Sequence, residues 1–258
     1  MKRIRLFLKG NVDLHDSLHS CRINNTICWN GINQIQNLID ANIRIQIKHE
    51  TWTRSDALLE CSGTVPLSLK EKPLRLDAFS AASQFSEQLF TSEADAYVLS
   101  IQPDITVSLV RHRKERYLFH PAHFSHWSEE EIIWFKGNFE AVEPLTPQES
   151  MNNLRLIIER LRKKTSAPIM IYNASFVIPG DHAHCHAGLT DSLSTRIQKF
   201  NLGLIDLSNE TGISIIDVNR ILACHGVDRT KLSTWHLNEV GLRLIAQETS
   251  SVLQEYFQ

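Results

Sequence analysis

Ser17 is the first residue of this sequence whose type and position could support covalent catalysis. It follows an apolar segment, residues 4–8, that stops before Gly10 and is typical of a β-strand. In an α/β domain the loop after a parallel strand opens at the carboxyl edge of the sheet, where such folds place their chemistry. Ser17 is therefore a candidate nucleophile. The alternative is that Asp16 or Ser17 only caps the next helix, because Asp and Ser are preferred at that position.

A second polar loop, residues 49–56, contains two side chains that we expect to bind substrate, Trp52 and Arg54. It follows residues 43–48, where apolar and polar side chains alternate strictly as in a half-buried strand. The planar guanidinium of Arg54 could bind a carboxylate or a phosphate through two parallel hydrogen bonds. The alternative is a surface arginine that pairs with Asp56.

A third group of reactive side chains lies in the segment 182–186, which contains His182, His184, Cys185 and His186. These residue types can bind a metal ion, but their spacing matches none of the usual zinc patterns. A loop exposed to solvent, or a wall of the substrate site, is the other interpretation. The sequence therefore predicts no metal and no cofactor, and a metal-dependent hydrolase built on this loop stays open as an alternative.

Five apolar segments predict the strands that must position these side chains. They cover residues 4–8, 43–48, 94–101, 168–172 and 213–218. Helical spacing of apolar residues predicts helices over 32–42, 83–90, 146 to about 163, 192–212 and 236–257. This alternation predicts a mostly parallel five-stranded sheet with helices on both faces, a three-layer α/β/α sandwich. The whole chain, residues 1–258, is expected to form a single domain.

Residues 111–139 form an insertion whose composition is unusual for a plain connection. The segment contains four histidines and several aromatic residues, and Ser128 with Glu131 predicts a capping box for a short helix. Long loops with a function are often lids, and the aromatic content argues against disorder. We expect this insertion to cover the site and restrict substrate size. Packing on the outer helices, or an oligomer contact, is the alternative.

The overall composition limits the classes of partner. The net charge of -2 gives no electrostatic footprint for a nucleic acid, and no apolar stretch is long enough to cross a bilayer. Five irregularly spaced cysteines do not suggest a disulfide framework. The sequence therefore predicts a cytoplasmic protein whose partner is a small molecule, with no nucleic acid and no membrane; it leaves the oligomeric state open.

Two motifs at opposite ends of the chain resemble those of a known family. Residues 232–246 read LSTWHLNEVGLRLIA, in which His236 precedes the final helix and is followed by Leu-Asn and by Gly241. This block and Asp16-Ser17-Leu18 resemble the last and first blocks of the SGNH/GDSL hydrolase family. The resemblance implies a flavodoxin-like SGNH hydrolase fold with Ser17 as nucleophile and His236 as general base. A serine hydroxyl needs such a base because it is a weak nucleophile at neutral pH.

The sequence departs from the family's pattern at several positions. His15 stands where the family has a glycine, and the glycine expected after the second strand has no clear match in residues 49–56. Gln102 stands in the place of an asparagine, from which it could donate an amide N–H to an oxyanion through a longer side chain. Ser233 replaces the acidic residue expected three positions before the histidine. The third member of the triad is therefore unassigned.

These observations define the predicted site. The predicted catalytic residues are Ser17, His236 and Gln102, and the predicted substrate-binding residues are Asp16, Trp52, Arg54 and Asn173. The predicted function is serine-dependent hydrolysis or transfer of an ester or acyl group of a small molecule. A protein of the same fold that binds a ligand without catalysis is the first alternative, because the altered motifs could have lost activity.

Overall fold

A computed structural model of the chain describes residues 1–23, 26–72, 74–76, 79–121, 124–176 and 191–258. The strands in these ranges are β1 Lys2–Lys9, β2 Ser20–Ile23, β3 Thr26–Trp29, β4 Ile43–Glu50, β5 Ala96–Ser100, β6 Val110–His112, β7 Leu118–Phe119, β8 Phe139–Ala141, β9 Ile169–Tyr172 and β10 Ser214–Ile216. Five of them form a central sheet in the order β10-β9-β5-β1-β4. All of its neighbouring strands pair in parallel. This confirms the predicted five-stranded sheet, with β5 at its centre.

Both faces of the central sheet are buried, which explains why its inner strands are almost wholly apolar. Along β1, Leu6 and Leu8 belong to one hydrophobic core and Phe7 belongs to the other. The same alternation in β5 sends Val98 and Leu99 to opposite cores. The sheet therefore lies between two layers of helices, as the predicted α/β/α sandwich requires.

Thirteen α-helices lie in the described ranges. They are α1 Val12–Leu14, α2 Gln36–Asp40, α3 Ser55–Glu60, α4 Leu67–Glu71, α5 Ala81–Gln84, α6 Gln88–Thr91, α7 Gln102–Thr106, α8 Glu129–Asn138, α9 Pro147–Arg162, α10 Leu193–Thr211, α11 Val218–His225, α12 Val227–Thr230 and α13 Glu239–Phe257. Leu154 of α9 and Ile197 of α10 pack in the core of Phe7, whereas Leu38 of α2 and Ile245 of α13 pack in the core of Leu6. No helix in these ranges has both the length and the apolar character needed to cross a bilayer.

Two helices begin with a capping box, and the one predicted at Ser128 is confirmed. The Thr146 hydroxyl accepts the Glu149 backbone N–H at the start of α9, and the Glu149 carboxylate accepts the Thr146 backbone N–H. Ser128 and Glu131 form the same reciprocal pair at the start of α8. Both pairs satisfy N–H groups that a helix start leaves without intrahelical partners.

Two predicted helices are shorter than the apolar spacing indicated. The helix expected over 32–42 is a 3₁₀ turn, Gly31–Gln34, followed by α2, because Ile35 between them is extended. The helix expected over 83–90 divides into α5 and α6.

The insertion predicted as a lid instead forms a small layer of its own. β6 pairs with β7 and β8 in an antiparallel sheet, and α8 precedes β8. Phe119, Trp127 and Phe135 share a core with Leu69 and Phe85 from outside the insertion. The described residues of this insertion, 111–121 and 124–139, thus pack against outer elements of the chain, as the alternative interpretation expected.

Candidate functional site

A narrow cleft lies at the carboxyl edge of the central sheet, with a free volume of only about 30 Å³. Its polar lining residues are Asp13, Gln102, Asn173, Ser175 and Thr234, and its apolar walls include Val218, Trp235 and Ile245. They come from the segments that follow β1, β5, β9 and β10 and from the segment around the start of α13. None of its described lining residues comes from the insertion 111–139, so the predicted lid over the site is wrong for this part of the chain.

The sequence predicted that Ser17 lies on an exposed loop, but the structure places it elsewhere. The chain turns into α1 at Val12, and Ser17 lies in the π-helical turn His15–His19 that follows. Leu14 and Leu18 are buried on the same side, so this turn places Ser17 at 0% exposure. A helical segment therefore begins at Val12, where a loop was expected, and Ser17 lies within it and does not cap it.

The Ser17 hydroxyl donates to the backbone carbonyl oxygen of Asp13 at 2.5 Å. Serine hydroxyls often bond to the preceding turn in this way. The hydroxyl also lies 3.5 Å from that of Tyr172, whereas His236 bonds to a different serine, described below. The structure thus places the two predicted catalytic residues in separate hydrogen-bond groups.

Asp13 is a polar group of the cleft that the sequence analysis missed. Its carboxylate accepts the Ser100 hydroxyl and, at 3.2 Å, the Asn11 backbone N–H. Burial raises the pKa of Asp13 above its ordinary value, which the bond from Ser100 partly opposes. The position could have been found from the sequence because Asp13 lies closer to the end of β1 than Ser17 does.

Gln102 lies in the cleft at the start of α7, as expected for a residue directly after the central strand. Its backbone N–H donates to the Ser100 hydroxyl at 3.2 Å. Its side-chain oxygen is buried without a hydrogen-bond partner among the described residues. A buried amide oxygen in that state is unusual, so the Gln102 Oε1 atom can accept a hydrogen bond from a further group in the cleft.

His236 lies in a short loop between α12 and α13. The backbone N–H groups of Leu232 and Ser233 donate to the His236 carbonyl oxygen at 2.7 and 3.2 Å, and Lys231 pairs with Leu237 across the loop. The Ser233 hydroxyl lies 2.9 Å from Nδ1 of the exposed His236 ring. Ser233 thus contacts the imidazole nitrogen that an acid would contact, but it carries no charge to stabilise a protonated ring.

The other residues of the C-terminal motif hold this loop against α13. The Asn238 side-chain oxygen accepts the Gly241 backbone N–H at 3.0 Å and so caps the helix. A Cβ atom on Gly241 would lie 2.4 Å from the Thr230 carbonyl oxygen. Only glycine therefore allows the first turn of α13 to lie this close to Thr230, the last residue of α12.

Arg54 and Trp52, predicted to bind substrate, are buried away from the cleft. Arg54 is 1% exposed, and its guanidinium donates to both carboxylate oxygens of Asp56 and, at 3.1 Å, to the Glu143 carbonyl oxygen. The pairing with Asp56 is the alternative that we left open, although the pair is not on the surface. Trp52 belongs to the core beneath the sheet, and the Asn11 side chain accepts its backbone N–H. Neither residue is among the described residues that line the cleft.

Of the two remaining predicted residues, Asn173 lines the cleft and Asp16 does not. Both polar atoms of the Asn173 amide are used: the nitrogen donates to Asp217 at 2.8 Å, and the oxygen accepts the Asn219 N–H at 3.1 Å. Asn173 thus ties the end of β9 to the end of β10. Asp16 instead contacts Nδ1 of His15 and the Ser20 hydroxyl.

The structure places a second serine, Ser175, in the cleft beside a buried lysine. The Lys231 Nζ atom lies 2.8 Å from the Ser175 hydroxyl oxygen and 2.8 Å from the Phe176 carbonyl oxygen. Lys231 is only 6% exposed. The rule that selected Ser17, a serine soon after a strand, also applies to Ser175, but nothing in the sequence links Ser175 to Lys231.

The loop 182–186 lies outside the described residues. Within the described ranges, no group of three or more His, Cys, Asp or Glu side chains has the geometry of a metal site.

Comparison with known proteins identifies the fold. No protein-family model matches the chain. No curated protein sequence matches it. Among solved structures, the lipase/acylhydrolase from Enterococcus faecalis is similar to 99% of this chain over 97% of its own, at 10% identity and a TM-score of 0.54.

Two further structures agree. A protein from Slackia heliotrinireducens, assigned by inference to the SGNH hydrolases, matches 98% of this chain over 100% of its own, at 11% identity and a TM-score of 0.54. Axe2, an acetylxylan esterase from Geobacillus stearothermophilus, matches 96% of this chain over 93% of its own, at 12% identity and a TM-score of 0.50. Identities this low establish the fold alone, which is that of the SGNH hydrolases.

Proposed function

We propose that this chain, which has the SGNH hydrolase fold, hydrolyses or transfers a short acyl group in the cleft at the carboxyl edge of its sheet. The observation that carries the proposal is the convergence of Asp13, Gln102 and Ser175 from three separate segments on one small cleft. Folds with open parallel sheets bind ligands at this edge. Esterases and lipases with this fold make acyl chemistry the first reaction to test.

The polar groups of the cleft suit a reaction at a carbonyl. A tetrahedral intermediate needs hydrogen-bond donors aimed at its oxyanion, and the Gln102 side chain, which lines the cleft, would supply one through its Nε2–H groups, because its buried Oε1 can only accept. The cleft is small and its walls are largely apolar, which favours a short acyl chain. Ser17 would reach this cleft only if its helical turn opened, so the Ser17–His236 pair predicted from the sequence is not part of the proposal in this conformation.

A ligand-binding protein without catalysis is the second candidate function. The burial of Ser17 favours it, because the segment after β1 then presents no nucleophilic serine to the cleft. Such a protein would bind an ester or carboxylate reversibly and leave it intact.

Assays with short-chain aryl esters distinguish the two. We expect hydrolysis above the background rate, and we expect Gln102→Ala to lower kcat by about 10²- to 10³-fold, the usual loss for one oxyanion donor. The matched control is Gln247→Ala, which removes an exposed glutamine from α13 and should change nothing. Saturable binding of an ester without turnover would contradict acyl chemistry and support the second candidate.

A further inference from the structure

We propose that Ser175 is the nucleophile of this chain and that Lys231 takes its proton. The inference rests on the proposed acyl chemistry and deepens it, because it assigns the covalent step to side chains outside both family motifs. The observation behind it is the 2.8 Å contact between the Ser175 hydroxyl and the buried Lys231 Nζ in the cleft.

Ser175 is held in place from both sides. It lies three residues after the end of β9, in the segment that leaves the carboxyl edge of the sheet. The Asn201 side chain accepts the Ala174 N–H at 3.1 Å and donates to the Ala174 carbonyl at 2.8 Å. On the other side, the Asn219 side chain accepts the Phe176 N–H at 3.1 Å. These bonds fix the backbone around Ser175, so its hydroxyl is positioned before any substrate binds.

Lys231 is held equally well and is suited to accept a proton. The bridge between Lys231 and Leu237 fixes its backbone, and its N–H donates to the Val227 carbonyl at 2.9 Å. The Phe176 carbonyl can only accept, so one N–H of the Lys231 Nζ group donates to it. The same nitrogen atom also faces the Ser175 hydroxyl. A lysine acts as a base through the lone pair of its neutral amine, and the proposal assigns that form to Lys231 when Ser175 attacks. Serine with lysine is one of the variants by which enzymes activate a serine.

The reaction follows from this geometry. As the Ser175 oxygen forms a bond to the ester carbonyl carbon, its proton moves to Lys231 Nζ, and the carbonyl π electrons move to the carbonyl oxygen. The Gln102 side-chain N–H, in the same cleft, is the proposed donor to this oxyanion. Collapse of the intermediate breaks the bond to the leaving alkoxide, which takes the proton from Nζ. Water, or the hydroxyl of an acceptor, then attacks the acyl-serine with Lys231 again as base, which frees the acid or the transferred ester and restores Ser175.

Labelling with a fluorophosphonate, followed by peptide mapping, tests the nucleophile on the wild-type chain. We expect the label on Ser175 and none in the Ser175→Ala variant, whereas Ser17→Ala, as the matched serine control, should label normally. Label on Ser17 or on another serine would overturn the inference. Aryl ester hydrolysis that persists in Ser175→Ala would overturn it and leave the proposed function standing. Absence of both labelling and hydrolysis in the wild type would contradict the proposed function itself.

Two substitutions of Lys231 separate a base from a residue that only positions Ser175. Lys231→Met should lower the labelling rate by about 10²- to 10⁴-fold, the usual contribution of general base catalysis. Lys231→Arg keeps a hydrogen-bond donor but cannot give up its proton at accessible pH, so it should be as slow. Recovery of the rate in Lys231→Arg would overturn the base role. Lys163→Met, which changes an exposed lysine, is the control. The peptide mapping uses the wild-type chain, so its result does not depend on whether either Lys231 variant folds.

Discussion

The segments that follow β1 and β9 each contain a serine, but they treat it differently. Ser17 lies eight residues after the last residue of β1, inside a helical turn, and its hydroxyl bonds to a backbone carbonyl. Ser175 lies three residues after the last residue of β9, in an irregular segment, and its hydroxyl bonds to a lysine side chain. We call the segment after β1 that contains Ser17 the first-strand side of the site. The segment after β9 that contains Ser175 is the fourth-strand side, because β9 is the fourth strand of the central sheet in chain order.

The difference shows what makes a serine available at the edge of a parallel sheet. A helical turn supplies carbonyl oxygens one turn away, so a serine inside it is satisfied by its own backbone. In the irregular segment, the side chains of Asn201 and Asn219 bond to the backbone instead, which leaves the serine hydroxyl to a side-chain partner. Proximity to the strand end therefore matters less than the conformation of the segment.

The largest effect on stability is expected from a change at Gly241, which supports the fourth-strand side. In Gly241→Ala the new Cβ would meet the Thr230 carbonyl oxygen at 2.4 Å, and backbone atoms cannot move as a side chain can. Overpacking of this kind costs about 3 kcal/mol of the free energy of unfolding. Since Thr230 precedes Lys231, ester hydrolysis should fall as well. Chemical denaturation and an aryl ester assay measure the two effects.

The control for Gly241→Ala is Gly137→Ala in α8, where an added Cβ has no atom within 4 Å. Alanine is the better helix former by up to about 1 kcal/mol, so this variant should be as stable as the wild type or more so. Equal stability of the two variants would show that α13 can shift away from Thr230 at little cost.

A smaller effect, on pH dependence, is expected from the first-strand side. The rings of His15 and His49 have centroids 5.0 Å apart, and His49 Nε2 donates to the Gly10 carbonyl oxygen at 3.0 Å. Burial, with the nearby His15, His19 and Lys9, lowers the pKa of His49 to about 4. The unfolded chain then binds a proton first as the pH falls from about 6.5 to 4, so His49 contributes stability at neutral pH that is lost across this window.

Denaturation curves of the wild type and His49→Gln at pH 7 and pH 4.5 measure that contribution. We expect the wild type to lose about 1 to 2 kcal/mol more than the variant on acidification, less than the full pKa shift because the ring is partly exposed. The comparison with a variant is needed because burial raises the pKa of Asp104 to about 6, which adds stability as the pH falls. Equal losses of the free energy of unfolding in the two proteins would show that the surroundings of His49 do not lower its pKa.

The sequence predicted the sheet well because a strand buried on both faces leaves a local pattern. The apolar segments predicted all five central strands, and Ser128 with Glu131 predicted the start of α8. The predicted loop position of Ser17 was wrong because the helix that starts at Val12 has no side-chain cap from which its start could be predicted. The spacing of Leu14 and Leu18 was the available signal for a buried helical turn.

Other features of the site depend on contacts between distant segments, which no local pattern reports. Arg54 is buried because the Glu143 carbonyl, far along the chain, accepts from its guanidinium. Lys231 likewise meets Ser175 across a separation of 56 residues along the chain. The C-terminal motif did locate the loop that contains His236 and Lys231, although it identified only the histidine as chemically active.

The smallest effect separates the two serines directly. Ser17→Ala removes the bond to the Asp13 carbonyl, while the Tyr172 hydroxyl keeps its 2.8 Å bond to the Thr249 hydroxyl. Loss of one hydrogen bond costs about 1 kcal/mol, which for a chain of this size lowers Tm by about 2 to 4 °C. Ester hydrolysis should be unchanged, because the hydroxyl is fully buried. An exposed nucleophile would give the reverse, lost hydrolysis at unchanged Tm, and that outcome would return the catalytic role to the first-strand side.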